Sequence, residues 1–193
     1  MTGWLWAFFV LAGGLFFIKM AYVFCTALAL PATQGALYVS TSRLRISAAL
    51  DAVPLRPGDL VVDLGCGDGR VLRLARRRCP VRGIGYELNP LAYAKARLLC
   101  LGSPGIDIRM RNFWSADLSG ARVVFCYLFP DVMDRMARKL TAELRPGAMV
   151  VSCNFPLPGC RPERVLRPGG SLHNDPIYIY NADAMRGESK AAT

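Results

Sequence analysis

The chain has 193 residues, enough for one domain with a core of its own plus an added segment. Formal net charge is +10 and arginine supplies most of it. With no aromatic-interleaved basic stripe or nucleic-acid motif, a basic face held near anionic lipid accounts for this better than nucleic acid does. Seven cysteines without a CxxC argue against a disulfide framework or a zinc site, and the single His173 argues against a histidine-based metal centre.

Hydrophobic residues make up 53% of the chain, and the excess is concentrated at the start. From Trp4 to Leu30 the sequence is almost wholly apolar, with Lys19 its only charge. A spanning helix needs about 20 apolar residues, so residues 1–30 read as a single transmembrane anchor, with Trp4 and Trp6 placed for one interface. A lysine at mid-membrane costs roughly 2.5–3.5 kcal/mol, which the surrounding apolar residues can offset, and lysine can snorkel. No basic region precedes the run, as a signal peptide would require. Arg43 and Arg45 follow it, so the positive-inside rule places the remainder of the chain in the cytoplasm. Residues 31–53 read as a connector and a helix, the helix resting on Leu44, Ile46, Ala49 and Leu50 at helical spacing. Pro54 and Pro57-Gly58 then end it.

Asp59 to Leu64 is a short apolar run with the character of a buried parallel strand. It leads directly into Gly65-Cys66-Gly67-Asp68-Gly69, and Val71, Leu72, Leu74 and Ala75 follow with helical periodicity. The glycines therefore sit on a strand-to-helix turn, where the backbone can approach a ligand and exposed amides favour an anionic group. The spacing is not that of a dinucleotide fingerprint, because Arg70 stands at the third glycine position, and no Gly-Lys-Ser/Thr of a P-loop follows. With Asp63, the pattern is acidic-x-Gly-x-Gly-x-Gly.

Val81 to Glu87 reads as a second strand ending in an acid that can accept both hydroxyls of a ribose. Asn89-Pro90 starts a helix. Ile106 to Met110 reads as a third strand, followed by Asn112, Phe113 and Trp114. Val123 to Pro130 reads as a fourth strand, Val132 to Leu144 as a helix, and Ala148 to Cys153 as a fifth strand. Arg164 to Leu166 and Ile177 to Tyr180 suit a final antiparallel pair. The alternation of strands and helices implies an α/β fold with a mainly parallel sheet.

The glycine turn resembles motif I of class I methyltransferases. Further pieces resemble small protein-lysine methyltransferases, both the archaeal broad-specificity enzymes and the mitochondrial membrane-anchored ones that modify the adenine nucleotide carrier and the ATP synthase c-subunit. These pieces are Val62 to Arg70, Gly85-Tyr86-Glu87-Leu88-Asn89-Pro90, Lys139-Leu140 with Glu143-Leu144, Phe155-Pro156-Leu157-Pro158, and Ile177 to Tyr180. The likeness runs from about Pro54 to Tyr180. It implies a Rossmann-like methyltransferase domain over residues 54–182, preceded by the transmembrane helix, with 183–193 a flexible tail. It implies S-adenosyl-L-methionine as cofactor, held by Asp63, Gly65, Cys66, Gly67, Gly69, Glu87 and Leu88, with Asn112 and Phe113 at the adenine. The acceptor implied is a lysine of a protein, possibly a membrane protein, in a pocket lined by Tyr127, Phe129 and Phe155. An aspartate or asparagine of the DPPY/NPPY type is absent from the fourth strand, which argues against methylation of DNA bases. A lipid head group, a small amine, or a non-catalytic cofactor-binding role remain as alternatives.

Overall fold

A computed structural model describes residues 2–33, 42–168 and 175–191. Most of the connector before Ser42 lies outside the described residues, as does His173.

Helix α1 spans Thr2–Thr33. Its segment Gly3–Phe24 is long and apolar enough to cross a membrane and is not buried against the rest of the chain. Twenty-two residues rise about 33 Å, matching a hydrocarbon core of about 30 Å. Helix α2, Arg43–Asp51, starts where the Ser42 hydroxyl accepts the amide of Arg45. It buries Ile46, Ala49 and Leu50, and also Arg45, at 5% exposure. Arg45 was counted in the sequence as a charge flanking the span. It is instead an interior residue, so the basic asymmetry across α1 is weaker than the sequence alone implies.

The sheet has seven strands: β1 (Leu60–Leu64), β2 (Arg82–Tyr86), β3 (Ile106–Arg109), β4 (Val123–Cys126), β5 (Met149–Cys153), β6 (Arg164–Leu166) and β7 (Ile177–Asn181). Their order is β3-β2-β1-β4-β5-β7-β6. The first five pair in parallel, and β7 pairs antiparallel with both β5 and β6. Successive residues of the central strands serve opposite faces. Val62, Leu64, Val124 and Cys126 join one apolar cluster, while Val61, Val123 and Phe125 join the other. Burial on both faces is why these strands read as continuous apolar runs rather than alternating ones.

Helices α3 (Arg70–Arg78), α4 (Pro90–Cys100) and α5 (Pro130–Glu143) make the crossovers. Arg76, Arg77 and Arg78 close α3, where cations suit the carbonyl end of a helix. Asn89 caps α4 by accepting from the amides of Leu91 and Ala92, and Pro90 supplies the first turn. The fourth strand is shorter than its sequence implies. It stops at Cys126, and Pro130 already opens α5, leaving residues 127–129 as a loop at the strand end. Residues 183–191, within the 183–193 segment read from the sequence as a flexible tail, belong to helix α6, Ala182–Ala191. Met185 on α6 is buried in the same cluster as Met136 and Leu140 of α5, and that apolar contact holds the helix to the domain.

Strand order reverses between β1 and β4, so a crevice opens at their carboxyl ends. Its floor depends on close packing between β2 and the turn after β1. A β-carbon at Gly85 would stand 2.9 Å from the Cys66 Cβ and 2.7 Å from its Sγ. The Cβ is fixed by backbone and cannot swing away. Gly85→Ala should therefore lower stability by about 1–3 kcal/mol in chemical denaturation, with the midpoint moving and the slope retained.

Candidate active site

The turn after β1 is built around one carbonyl. The amides of Gly65 and Cys66 both donate to the Tyr86 carbonyl, at 3.0 and 2.9 Å, and the amide of Gly69 donates to the Cys66 carbonyl at 2.8 Å. Gly65, Gly67 and Gly69 all have positive φ (80°, 55° and 71°), the left-handed region that side chains rarely enter. Gly65 is exposed at the crevice, and only Leu128 would come within 4 Å of a β-carbon there. The Cys66 side chain is buried against Gly85, and burial pushes its thiol up. Cys66 thus contributes backbone and packing at this turn.

Glu87 stands just beyond β2. One carboxylate oxygen accepts the Gly67 amide at 2.9 Å, and the other accepts the amides of Leu88 and Asn89 at 2.8 Å each. Burial raises its pKa, and the three amides pull it back. Asp63, at the end of β1, is 5% exposed. Its pKa is pushed up to about 7, first by burial and then by the neighbouring Glu87 and Asp68 carboxylates. Asp68 is compensated by Arg70 at 3.1 Å and Lys95 at 3.8 Å. The buried Asp63 and the half-buried Glu87 thus make an acidic pair that a cation or hydroxyl donors would relieve. Asn112 uses its side-chain oxygen to cap a short 3-10 turn, Phe113–Ser115, by accepting the Trp114 amide at 3.0 Å. Phe113 is buried in the core and touches Trp114, whose ring carries the Arg135 guanidinium at 4.1 Å.

Across the crevice, Tyr127 is half-buried and its hydroxyl accepts from the Asn154 amide nitrogen at 2.8 Å. Burial raises the pKa of that hydroxyl, with Arg45 opposing. Phe129 flanks the start of α5. Phe155 lies on a turn pinned at three points. Its carbonyl accepts the Ser152 hydroxyl at 2.7 Å, the Leu157 amide donates to the Tyr180 hydroxyl at 2.8 Å, and the Asn154 amide donates to the Pro176 carbonyl at 2.9 Å. Tyr127 packs with the apolar cluster on one face of the sheet and Phe155 with that on the other, so they flank the strand end rather than stack. Sequence reasoning missed Arg45 and Asn154 here. The Asn154 position, at a strand end before a Pro-rich turn, carried a usable signal; the long-range reach of Arg45 did not.

Three comparisons bear on this arrangement. Residues 63–164 match the ANTKMT methyltransferase domain. The chain is 36% identical over 148 residues to the adenine nucleotide translocase lysine N-methyltransferase of Mus musculus, covering 75% of this chain and 62% of that protein. It is 33% identical over 147 residues to a protein-lysine N-methyltransferase of Saccharolobus islandicus, covering 74% of this chain and 91% of that protein. Among solved structures, an RNA methyltransferase from Salinibacter ruber in complex with S-adenosyl-L-homocysteine superposes with a TM-score of 0.69 at 31% identity, covering 75% of this chain and 94% of that one. With its glycine turn, acidic pair and strand order, the chain belongs to the ANTKMT methyltransferase domain family, and its cofactor is S-adenosylmethionine.

Proposed function

We propose that the protein transfers a methyl group from S-adenosylmethionine to a lysine side chain of a protein substrate, with α1 anchoring it in a membrane and the catalytic domain on the cytoplasmic side. The observation that carries the reading is the Asp63–Glu87 pair beside the glycine turn, in a chain whose two curated relatives above are both named lysine methyltransferases.

Asp63, Gly65, Gly67, Gly69 and Glu87 would hold the cofactor, with Leu88, Asn112 and Phe113 around the adenosine. The Glu87 oxygens are aimed by backbone amides; Oε1 already accepts two of them, and Oε2, which accepts only the Gly67 amide, keeps acceptor capacity for a ribose hydroxyl. A cationic ammonium beside Asp63 would relieve the repulsion that raises its pKa. When bound, the cofactor supplies a methyl already activated on a positive sulfur. The protein's task is then to hold an amine in line with it, and such positioning contributes about 7–11 kcal/mol in well-oriented systems. Tyr127, Phe129 and Phe155 would line the amine's approach, and a partly desolvated site favours the neutral, attacking form of lysine. Asp131 and Asp134 are exposed on α5, which supports loss of the amine's proton to solvent before attack.

Cofactor affinity should depend on the charge of Asp63. Its carboxylate is ionised above about pH 7, so the S-adenosylmethionine Kd should weaken about tenfold from pH 8 to pH 6, and Asp63→Asn should bind weakly at both. For the cofactor-free fold the sign is opposite. A raised carboxyl pKa contributes stability at low pH that is lost as pH rises through 7, so Asp63→Asn should raise the melting temperature at pH 8 while impairing binding.

The reaction itself is tested by incubating the membrane-inserted protein, and a Glu87→Ala control, with radiolabelled S-adenosylmethionine and a native membrane fraction. Base-stable label on a protein, absent in the control and mapped to lysine by mass spectrometry, is the expected result. Label confined to lipid or to RNA would replace the acceptor. Removal of residues 1–41 should release the protein from carbonate-washed membranes, and retention there would remove α1 from its proposed role.

A further inference from the structure

Helix α2 carries an arginine where packing alone asks for an aliphatic side chain. Three of its four buried residues are Ile46, Ala49 and Leu50; the fourth is Arg45. Its guanidinium reaches residues 109 and 130 positions further along the chain. Nη2 donates to the Asn154 side-chain oxygen at 2.5 Å and to the Asp175 carbonyl at 3.2 Å. Nη1 stands 3.7 Å from the Asp175 carboxylate. Among the described residues, Arg45 Nε is the buried side-chain nitrogen or oxygen without a hydrogen-bond partner. Asn154 is unusual as well: at φ 70° it is the non-glycine residue with positive φ among the described ones. Native structures tolerate such departures mainly where function requires them.

These two departures meet at one hydroxyl. A guanidinium only donates, so the Asn154 amide must turn its oxygen toward Arg45 and its nitrogen away. That nitrogen then donates to the Tyr127 hydroxyl at 2.8 Å. The hydrogen-bond sense along the chain is therefore set from Arg45 outward. Asn154 occupies one lone pair of the Tyr127 oxygen and Arg45 acts on the same hydroxyl by charge and hydrogen bonding, so the second lone pair and the proton are the capacity a ligand can share. We propose that Arg45 and Asn154 are positioning residues that hold the Tyr127 hydroxyl ready to accept an N–H from the incoming lysine amine. The inference rests on the lysine reading above for the identity of the acceptor. Accepting one N–H turns the nitrogen's lone pair toward the transferred methyl. Because Arg45 lies three residues into α2, the contact also ties the segment that follows the anchor to the acceptor end of the crevice.

Asn154→Asp tests the idea with little change in shape. Aspartate also tolerates positive φ and keeps the bond to Arg45, but it cannot donate to Tyr127. Arg45→Met keeps a similar stem and frees the amide. Initial rates at saturating native membrane fraction should fall about tenfold or more in each variant, with the S-adenosylmethionine Kd within about twofold of the parent. In a Tyr127→Phe background, Asn154→Asp should add less than about twofold, because both act through one hydroxyl. Unchanged rates, full additivity with Tyr127→Phe, or a parallel loss of cofactor binding would each overturn the proposal.

A second arm needs no turnover. Binding of Nα-acetyl-lysinamide to the complex with S-adenosylhomocysteine, followed by NMR, should weaken about fivefold or more in Tyr127→Phe and in Asn154→Asp. Equal binding by parent and variants, or no binding by the parent, would also overturn it. If label in the parent goes to lipid or RNA while the rate cycle remains non-additive, the lysine reading fails and the positioning role of Arg45 and Asn154 stands for that other acceptor.

Discussion

The Glu87 carboxylate joins the two loops that flank the crevice at the ends of β1 and β2. It stands one residue beyond β2, yet its partners are the Gly67 amide of the glycine turn and the Leu88 and Asn89 amides that lead into α4. The Tyr86 carbonyl, one residue earlier, accepts two amides from the same turn. The ends of β1 and β2 are thereby locked in register at the place where the sheet order reverses. The close contact of Gly85 with Cys66 makes this approach possible, since a side chain at 85 would force the turn outward. The glycines thus let the backbone come close, and the carboxylate fixes it once there.

Such a site is costly in the empty protein. Burial raises the pKa of both Asp63 and Glu87, and the Glu87 carboxylate adds to the cost of charging Asp63. Arg45 carries a further cost beside Tyr127 and Asn154, where a buried guanidinium keeps one donor unmatched. The surrounding framework supplies the compensation. Tyr180, Leu140, Leu144 and Met136 are fully buried around the strands on one side, and Ile177, Ile179 and Leu72 on the other. A core of that kind can carry polar groups that would be unfavourable alone.

How far the residues foretold this arrangement depends on the range over which each acts. The strand-turn-helix at Asp63 to Ala75 was legible because its signals are local: β-branched residues, glycines at fixed offsets, then helical periodicity. Glu87 was legible for the same reason, as an acid at the end of the next strand. The end of β4 was read too long because Tyr127, Leu128 and Phe129 have strand-like side chains, whereas the proline at 130 had already committed the chain to a helix. Helix α6 was missed because its small and charged residues look like a tail, whereas the buried Ala182 and Met185 and the long-range bonds of Asp183 and Arg186 tie it down. Arg45 was misread because its meaning lies 109 residues away, at Asn154, and no window along the chain contains both.

That long-range contact also bears on the protonation state the proposed reaction needs. An amine entering beside Tyr127 meets the Arg45 guanidinium 6.0 Å from the ring centre, with the partly exposed Asp175 carboxylate offsetting part of its charge. In the proposed complex the cofactor sulfonium would add a second positive centre. Both disfavour a protonated lysine, so the same electrostatics that make the empty pocket costly select the neutral amine. The acidic pair acts in the reverse sense at the other end of the crevice, where Asp63 and Glu87 favour the positively charged donor. In the proposed reaction, donor and acceptor would be sorted by charge along one crevice: carboxylates where the cationic donor would bind, and a guanidinium where the lysine would give up its proton.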